Sequence, residues 1–283
     1  MFHLDFSAIE AAAQLACNGP RFEALPKGVF PAPSLTRWMA LAADAGVPSV
    51  PAEEVGRVTI DAVLRFDTPD TPGVAEAMAI LDRVNAQLDG TCMLRWDCCA
   101  GGEIKYSLSQ GQIPSDDARC LVPDDPRAFD LLYEFPADDI ALLKRPWVLA
   151  QAIENYPLEF RVFVEDGAPV AIANYYLQRD LPDTPAIRAA AAQSLAHTRA
   201  ILAALARSGE VPGMPGQPDP ERVAATLDFL VTEDGQVLFL EAGPGHFFGA
   251  HPCAFLRPDQ RTVDALEGLR LASGGPNVPL ASL

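Results

Sequence analysis

The sequence predicts an α+β fold, on three observations. Strand-like and helix-like segments mix without a strict βαβ alternation, which disfavours a doubly wound sheet. Two hairpins are signalled by Asp-Gly turns, Asp166-Gly167 and Asp234-Gly235, each between β-rich apolar runs. The clearest helix, the alanine-rich run 185–208, lies between those hairpins. A chain of 283 residues, 49% of them hydrophobic, can bury a sizeable core as one large domain or two moderate ones.

In chain order, residues 5–17 read as a short helix capped by Asp5 or Ser7, and 18–33 as a Pro- and Gly-rich loop. Ser34 caps a helix that runs to about Asp44 and stops at Gly46. Val47 to Pro51 leave it extended. Residues 58–66 alternate as a strand, and a helix from about Gly73 to Leu88 follows the loop Asp67–Pro72. Two strands within 92–108 flank Ala100-Gly101-Gly102, a loop covers 109–126, and 147–153 reads as a strand. The strand Glu159–Val164 turns at Asp166-Gly167 into one that runs to Asn174 and on towards Arg179. After the long helix, 209–220 reads as loop, the final hairpin follows, and one helix is expected near 262–272.

A net charge of −17 and a pI of about 4.5 argue against non-specific binding to nucleic acid or anionic membranes, both of which need basic surface. No apolar run is long enough to span a bilayer, and the N-terminus has no basic segment followed by an apolar core. The six cysteines offer no Cys-x-x-Cys pair. They read as small buried hydrophobes with reduced thiols, as expected of a cytoplasmic protein. Neither a Walker A motif nor a Rossmann glycine fingerprint is present.

Candidate chemistry concentrates in four places. Asp228 and Glu241 each interrupt an apolar strand of the final hairpin, where a carboxylate needs a cation or donors. If they share a face they make a hard oxygen site suited to Mg²⁺ carrying a nucleotide phosphate. Their separation of 13 leaves this open, because register depends on the loop. Two surface acids are the alternative. Glu159 and Arg161 flank Phe160 and so share a strand face, with a structural ion pair as the alternative role for Arg161. Arg95 lies mid-strand in an apolar setting, with Asp97 two residues on as its expected partner. Gly101 and Gly102 suit either close approach to phosphate or a plain turn.

The ordered set Val148–Ile153, Glu159–Val164, Gln178-Arg179, the long helix and the Asp228/Glu241 hairpin resembles the ATP-grasp superfamily. Glu-Phe-Arg-Val-Phe-Val and Gln178-Arg179 are similar to the eukaryotic ATP-grasp factor that assembles translation initiation factor 2. Asp228 to Gly245 is similar to D-alanine–D-alanine ligase. The resemblance covers roughly residues 91–250.

It implies two α+β lobes with a nucleotide cleft between them. Residues 1–90 would be a partly helical N-terminal region, 91–153 the N-terminal lobe and hinge, and 154–283 the C-terminal lobe. It implies ATP and Mg²⁺ as cofactors, with Asp228 and Glu241 on the metal. Arg95 or Lys105, with Arg161, would hold phosphates. Gln151 and Ile153 would present backbone to adenine, and Glu154 would take ribose hydroxyls. Arg95, Arg161 and Arg179 would serve the reaction, the joining of a carboxylate to an amine through an acyl phosphate with release of ADP. Small-molecule or peptide substrates would be its partners. The alternative is an ATP-binding assembly factor, without catalysis, that acts on a protein partner. Lys144 could reach phosphate or be an ordinary surface lysine, and His246 could bind substrate or move a proton or be a loop histidine with neither role. The sequence departs from the family at Gly243, where the ligases carry Asn two residues after the second acid.

Overall fold

A computed structural model describes residues 25–65, 73–86, 91–100, 126–146, 156–214, 222–257 and 262–283. The expectations for 5–17, for the strand carrying Lys105, for the loop 109–126 and for the strand 147–153 lie outside these residues, wholly or nearly so.

Three sheets organise the described chain. The smallest pairs β1 (Val29–Pro31) in parallel with β7 (Val211–Gly213). A three-stranded antiparallel sheet has the order β2 (Glu53–Thr59), β4 (Asp139–Pro146), β3 (Cys92–Trp96). A five-stranded sheet has the order β10 (Gly268–Arg270), β6 (Ala168–Asn174), β5 (Leu158–Glu165), β8 (Ala225–Val231), β9 (Val237–Pro244). With the helices packed on them, this is the α+β class that the sequence predicts. No helix among the described residues is long and apolar enough to cross a membrane.

The helices are α1 (Leu35–Asp44), α2 (Ile60–Leu64), α3 (Val74–Asn85), α4 (Pro126–Tyr133) and α5 (Pro185–Ser208). Helix α1 starts where expected because the Ser34 side chain accepts from the Arg37 N–H at 3.4 Å. Helix α5 begins at a Thr184 cap with proline in its first turn and ends at the left-handed Gly209, so start and stop were both legible.

One core lies between α1, α5 and one face of the five-stranded sheet, where Phe160, Val162, Leu227 and Phe229 meet Trp38, Leu41, Leu195 and Ile201. A second fills the space between the three-stranded sheet and helices α2 to α4, built on Ile60, Leu81, Leu94 and Leu142. Strand β4 serves both: Ala141 and Leu143 face the first core, Ile140 and Leu142 the second. Strict alternation along one strand therefore joins the two halves.

Four expectations are corrected. The strand placed at 58–66 is β2, which ends at Thr59. There the chain turns into α2, whose first residue donates its N–H to the Asp138 carbonyl at 2.8 Å. The loop 209–220 contains the short strand β7. Strand β6 stops at Asn174, whose side-chain amide donates to the Tyr176 carbonyl and ties the following turn. The helix near 262–272 is instead irregular chain leading to β10, parallel to β6. Gly268 has φ +77, and a Cβ there would lie 2.5 Å from the Val278 carbonyl oxygen. Close backbone pairing of Leu269 with Val278 thus replaces helical turns.

Candidate nucleotide site between the sheets

The site begins with a register. Val231 pairs with Val237, Leu230 with Leu238 and Phe229 with Phe239. Continued unbroken, that ladder would set Asp228 opposite Leu240 and turn Glu241 to the core side with Val237 and Phe239. A bulge after Phe239 inserts Leu240, and Asp228 pairs with Glu241. The slip reverses the facing of everything beyond it, so both carboxylates point away from the core and Ala242 points into it. The turn at 232–236 holds this hairpin, with the Thr232 N–H donating to the Gln236 carbonyl at 2.9 Å.

Strand β5 adds the third member of the row, since Arg161 is the register partner of Asp228. Its Nε and Nη2 donate to the two Asp228 carboxylate oxygens at 2.8 and 2.6 Å, and Nη1 donates to the His251 carbonyl at 3.1 Å. The guanidinium carbon sits 4.9 Å from the Tyr175 ring centre. Burial works against the charge on Arg161, but Asp228 more than offsets it and holds the guanidinium well above its usual value. The pair is bidentate and almost wholly desolvated, with Asp228 only 1% exposed.

From the other sheet comes Arg95, on β3. Its Nη1 donates to the Glu241 carboxylate and its Nε to the Trp96 carbonyl at 3.1 Å. The expected partner, Asp97, is otherwise engaged. It accepts from the Ser34 hydroxyl at 2.7 Å and the Thr36 N–H at 2.8 Å, and so anchors the start of α1. Asp97 shares the parity of Arg95 but lies past the strand end, where the chain has begun to turn. Arg95 is therefore free to reach across to the five-stranded sheet.

These four charged residues line a cavity of about 430 Å³, with Tyr175, Thr226 and Gly243 on the same side and Cys98 and Cys99 beside Arg95. The two cysteines are buried, with sulfurs 3.7 Å apart, and none of the described cysteines is in a disulfide. Among the described residues there is no group of three or more His, Cys, Asp or Glu placed to hold a metal ion.

Arg179 lies in the turn after β6, half-buried, and donates to the Tyr156 carbonyl; it is not among the residues described as lining the cavity. His246 is in a short 3-10 segment, its buried Nδ1 without a hydrogen-bond partner among the described residues. Lys105, Gln151, Ile153 and Glu154 lie outside the described residues. At Gly243 a Cβ would come 3.3 Å from the Thr226 hydroxyl oxygen, so a larger side chain needs Thr226 to move.

Sequence reasoning missed Arg145. It weighed only the neighbouring Lys144, as a phosphate ligand or a surface residue; Lys144 is half-buried, whereas Arg145 is 3% exposed. The signal was alternation: Ala141, Leu143 and Arg145 share the face of β4 turned to the larger sheet. Arg145 Nη2 donates to the Leu240 carbonyl at the bulge, at 3.1 Å, while its buried Nε has no partner among the described residues. Burial and the nearby Arg95 pull its pKa down to about 10, against the opposing pull of Glu241 and Glu159.

Glu159 does not pair with Arg161. Its carboxyl accepts from the Tyr176 hydroxyl at 2.8 Å. Burial, then the Asp228 charge, push its pKa from 4.5 up to about 8. The folded protein thus keeps this proton where the unfolded chain has released it. The stabilisation is complete below pH 4.5 and lost as pH rises through about 8. Replacing Glu159 by Gln should flatten that fall, which amounts to at most about 1.4 kcal/mol per pH unit. Urea unfolding of both proteins at several pH values across the window reads it. Parallel profiles would remove Glu159 as the source.

No family model and no curated protein matches the chain. Solved structures do. Cdc123 from Schizosaccharomyces pombe, C-terminally truncated, is 12% identical with a TM-score of 0.45, over 86% of this chain and 98% of that one. D-alanine–D-alanine ligase from Aeromonas hydrophila is 14% identical with a TM-score of 0.32, over 73% and 51%. N5-carboxyaminoimidazole synthase from Aspergillus clavatus, in complex with ADP, is 14% identical with a TM-score of 0.37, over 88% and 53%. D-alanine–D-alanine ligase is one of the proteins that the sequence resembles. Identities this low say nothing about activity.

Proposed function

We propose that the protein binds Mg-ATP between its two sheets and uses it to join a carboxylate to an amine. The observation that carries this reading is the convergence, on one cavity wall, of Arg95 and Arg161 with the paired carboxylates Asp228 and Glu241. Asp130 and Glu134 also line the cavity, and Arg145 bonds the Leu240 carbonyl at the bulge next to Glu241. Among the described residues the buried Nε of Arg145 has no acceptor. A bound anion would supply one. Arg suits phosphate through its fixed fork of donors.

The donor set fits magnesium as well. Mg²⁺ dehydrates reluctantly and is commonly held by one or two carboxylates together with phosphate oxygens and water. Asp228 and Glu241, face to face across β8 and β9, would supply the protein's share. Each carboxylate has about four acceptor positions, so pairing with Arg161 or Arg95 does not exhaust it. Lys105 would be a further phosphate cation, and Gln151, Ile153 and Glu154 would meet adenine and ribose.

Bound there, ATP supplies the phosphoryl group that turns a substrate carboxylate into an acyl phosphate, which an amine opens to an amide with release of phosphate. The chain's own part is placement and charge. Arg95 and Arg161 neutralise oxygens held between the sheets, in a site whose burial strengthens each interaction, and Arg179 would assist from the turn after β6. Gly243 favours a second reading, an ATP-dependent binding or assembly factor that carries out no chemistry. Product-resolved ATP turnover with pooled amino acids and peptides separates the two. ADP formed only when an amine is added supports the ligase, and binding without turnover supports the factor.

Mg-ATP at about 100 times its Kd should stabilise the fold by roughly 2.7 kcal/mol. Thermal melting with and without Mg-ATP measures this, and an unchanged curve at saturating ligand would count against both readings.

A further inference from the structure

We infer that the Thr226 hydroxyl is a third oxygen ligand of the cation held by Asp228 and Glu241. This inference rests on the Mg-ATP reading above. Thr226 and Asp228 are two residues apart on β8 and share a face; Glu241 and Gly243 do the same on β9. Register sets Thr226 opposite Gly243 and Asp228 opposite Glu241. The four residues make a square patch on the cavity wall. Three of its corners carry oxygen and the fourth carries no side chain.

The empty corner and the hydroxyl are linked. The Thr226 oxygen sits 3.3 Å from where a Cβ on residue 243 would be, so glycine is what lets it lean across the patch. Its hydroxyl donates to the Pro244 carbonyl at 3.2 Å. That commits the proton to the far side and leaves the lone pairs for another partner. Thr226 is only 1% exposed, so its orientation is set by packing rather than by water. Two carboxylates are few for a hard cation that takes six oxygens. Tyr175, the other neutral oxygen-bearing side chain on the described cavity wall, is stacked against Arg161.

The test is calorimetric titration of ATP, in Mg²⁺ and in EDTA, into the wild-type chain, Thr226→Val and Thr226→Ser. Mn²⁺ bound in the presence of ATP is counted in parallel by electron paramagnetic resonance. Valine keeps the shape and removes the oxygen. The expected result is about a tenfold loss of ATP affinity in Mg²⁺, no change in EDTA, weaker Mn²⁺ binding, and recovery in Thr226→Ser. Gly243→Ala, which crowds the same oxygen while leaving residue 226 in place, should reproduce the Mg²⁺-specific loss and serves if Thr226→Val does not fold. Equal loss with and without metal, or no loss in either variant, overturns the inference and leaves the Mg-ATP reading standing. A wild-type chain that binds no ATP in Mg²⁺ overturns the reading itself, and the inference with it.

Discussion

Replacing Arg161 by methionine is expected to destabilise the protein by about 3–5 kcal/mol, because it leaves the Asp228 carboxylate, 1% exposed, without its counter-charge. Both partners are buried, and the pair is bidentate at 2.6 and 2.8 Å. If Asp228 served only as a metal ligand, Asp228→Asn would spare the fold. The structure reverses that expectation, since Asn cannot offset the buried guanidinium. The double variant Arg161→Met with Asp228→Leu should regain most of the loss, because a buried ion pair replaced by apolar side chains is often near neutral. Urea unfolding of the single and double variants decides it. Single losses under about 1 kcal/mol would mean that the pair is solvated in solution and that its closed geometry is wrong.

Arg95 should behave differently. Glu241 is 24% exposed at its side chain and can be rehydrated when Arg95 is removed, so the cost in stability should be smaller than for Arg161. Its effect should appear in ligand binding instead. Arg95→Met should weaken ATP by at least about 2 kcal/mol, roughly thirty-fold, because it removes the cation that spans the two sheets. Arg95→Lys should keep part of that affinity, since a point cation still reaches phosphate oxygens but loses the fork. Calorimetric titration of ATP into both variants measures this. Unchanged affinity in both would pass the phosphate role to Lys105 and Arg145, and Lys105→Ala should then abolish binding.

The contrast between the two arginines shows what was readable in the chain. Arg95 and Arg161 stood out as cations inside apolar strands, a cost that predicts a partner without saying which one. Asp97 was the nearest candidate in sequence for Arg95. It is instead consumed by Ser34 and Thr36, which no local spacing announces. Arg145 was hidden because its neighbour Lys144 is the more familiar phosphate ligand. Only the assignment of β4 makes its parity meaningful.

By itself the sequence determined the α+β class, helix α5 with both its ends, helix α1 with its Ser34 cap, the two hairpins and their Asp-Gly turns. These are local: caps, glycine conformations and period-two runs act over a few residues and need no distant partner. Helix and strand at 60–64 and 268–270 were decided by tertiary contacts, with the Asp138 and Val278 carbonyls. So was the heart of the site. Glu241 lies thirteen positions after Asp228, and an unbroken ladder would send one of them to the wrong face. The bulge at Leu240 corrects the parity. It persists because Phe239 and Ala242 both find places in the core on either side of it, a balance of packing that exists only once the sheet has met its helices.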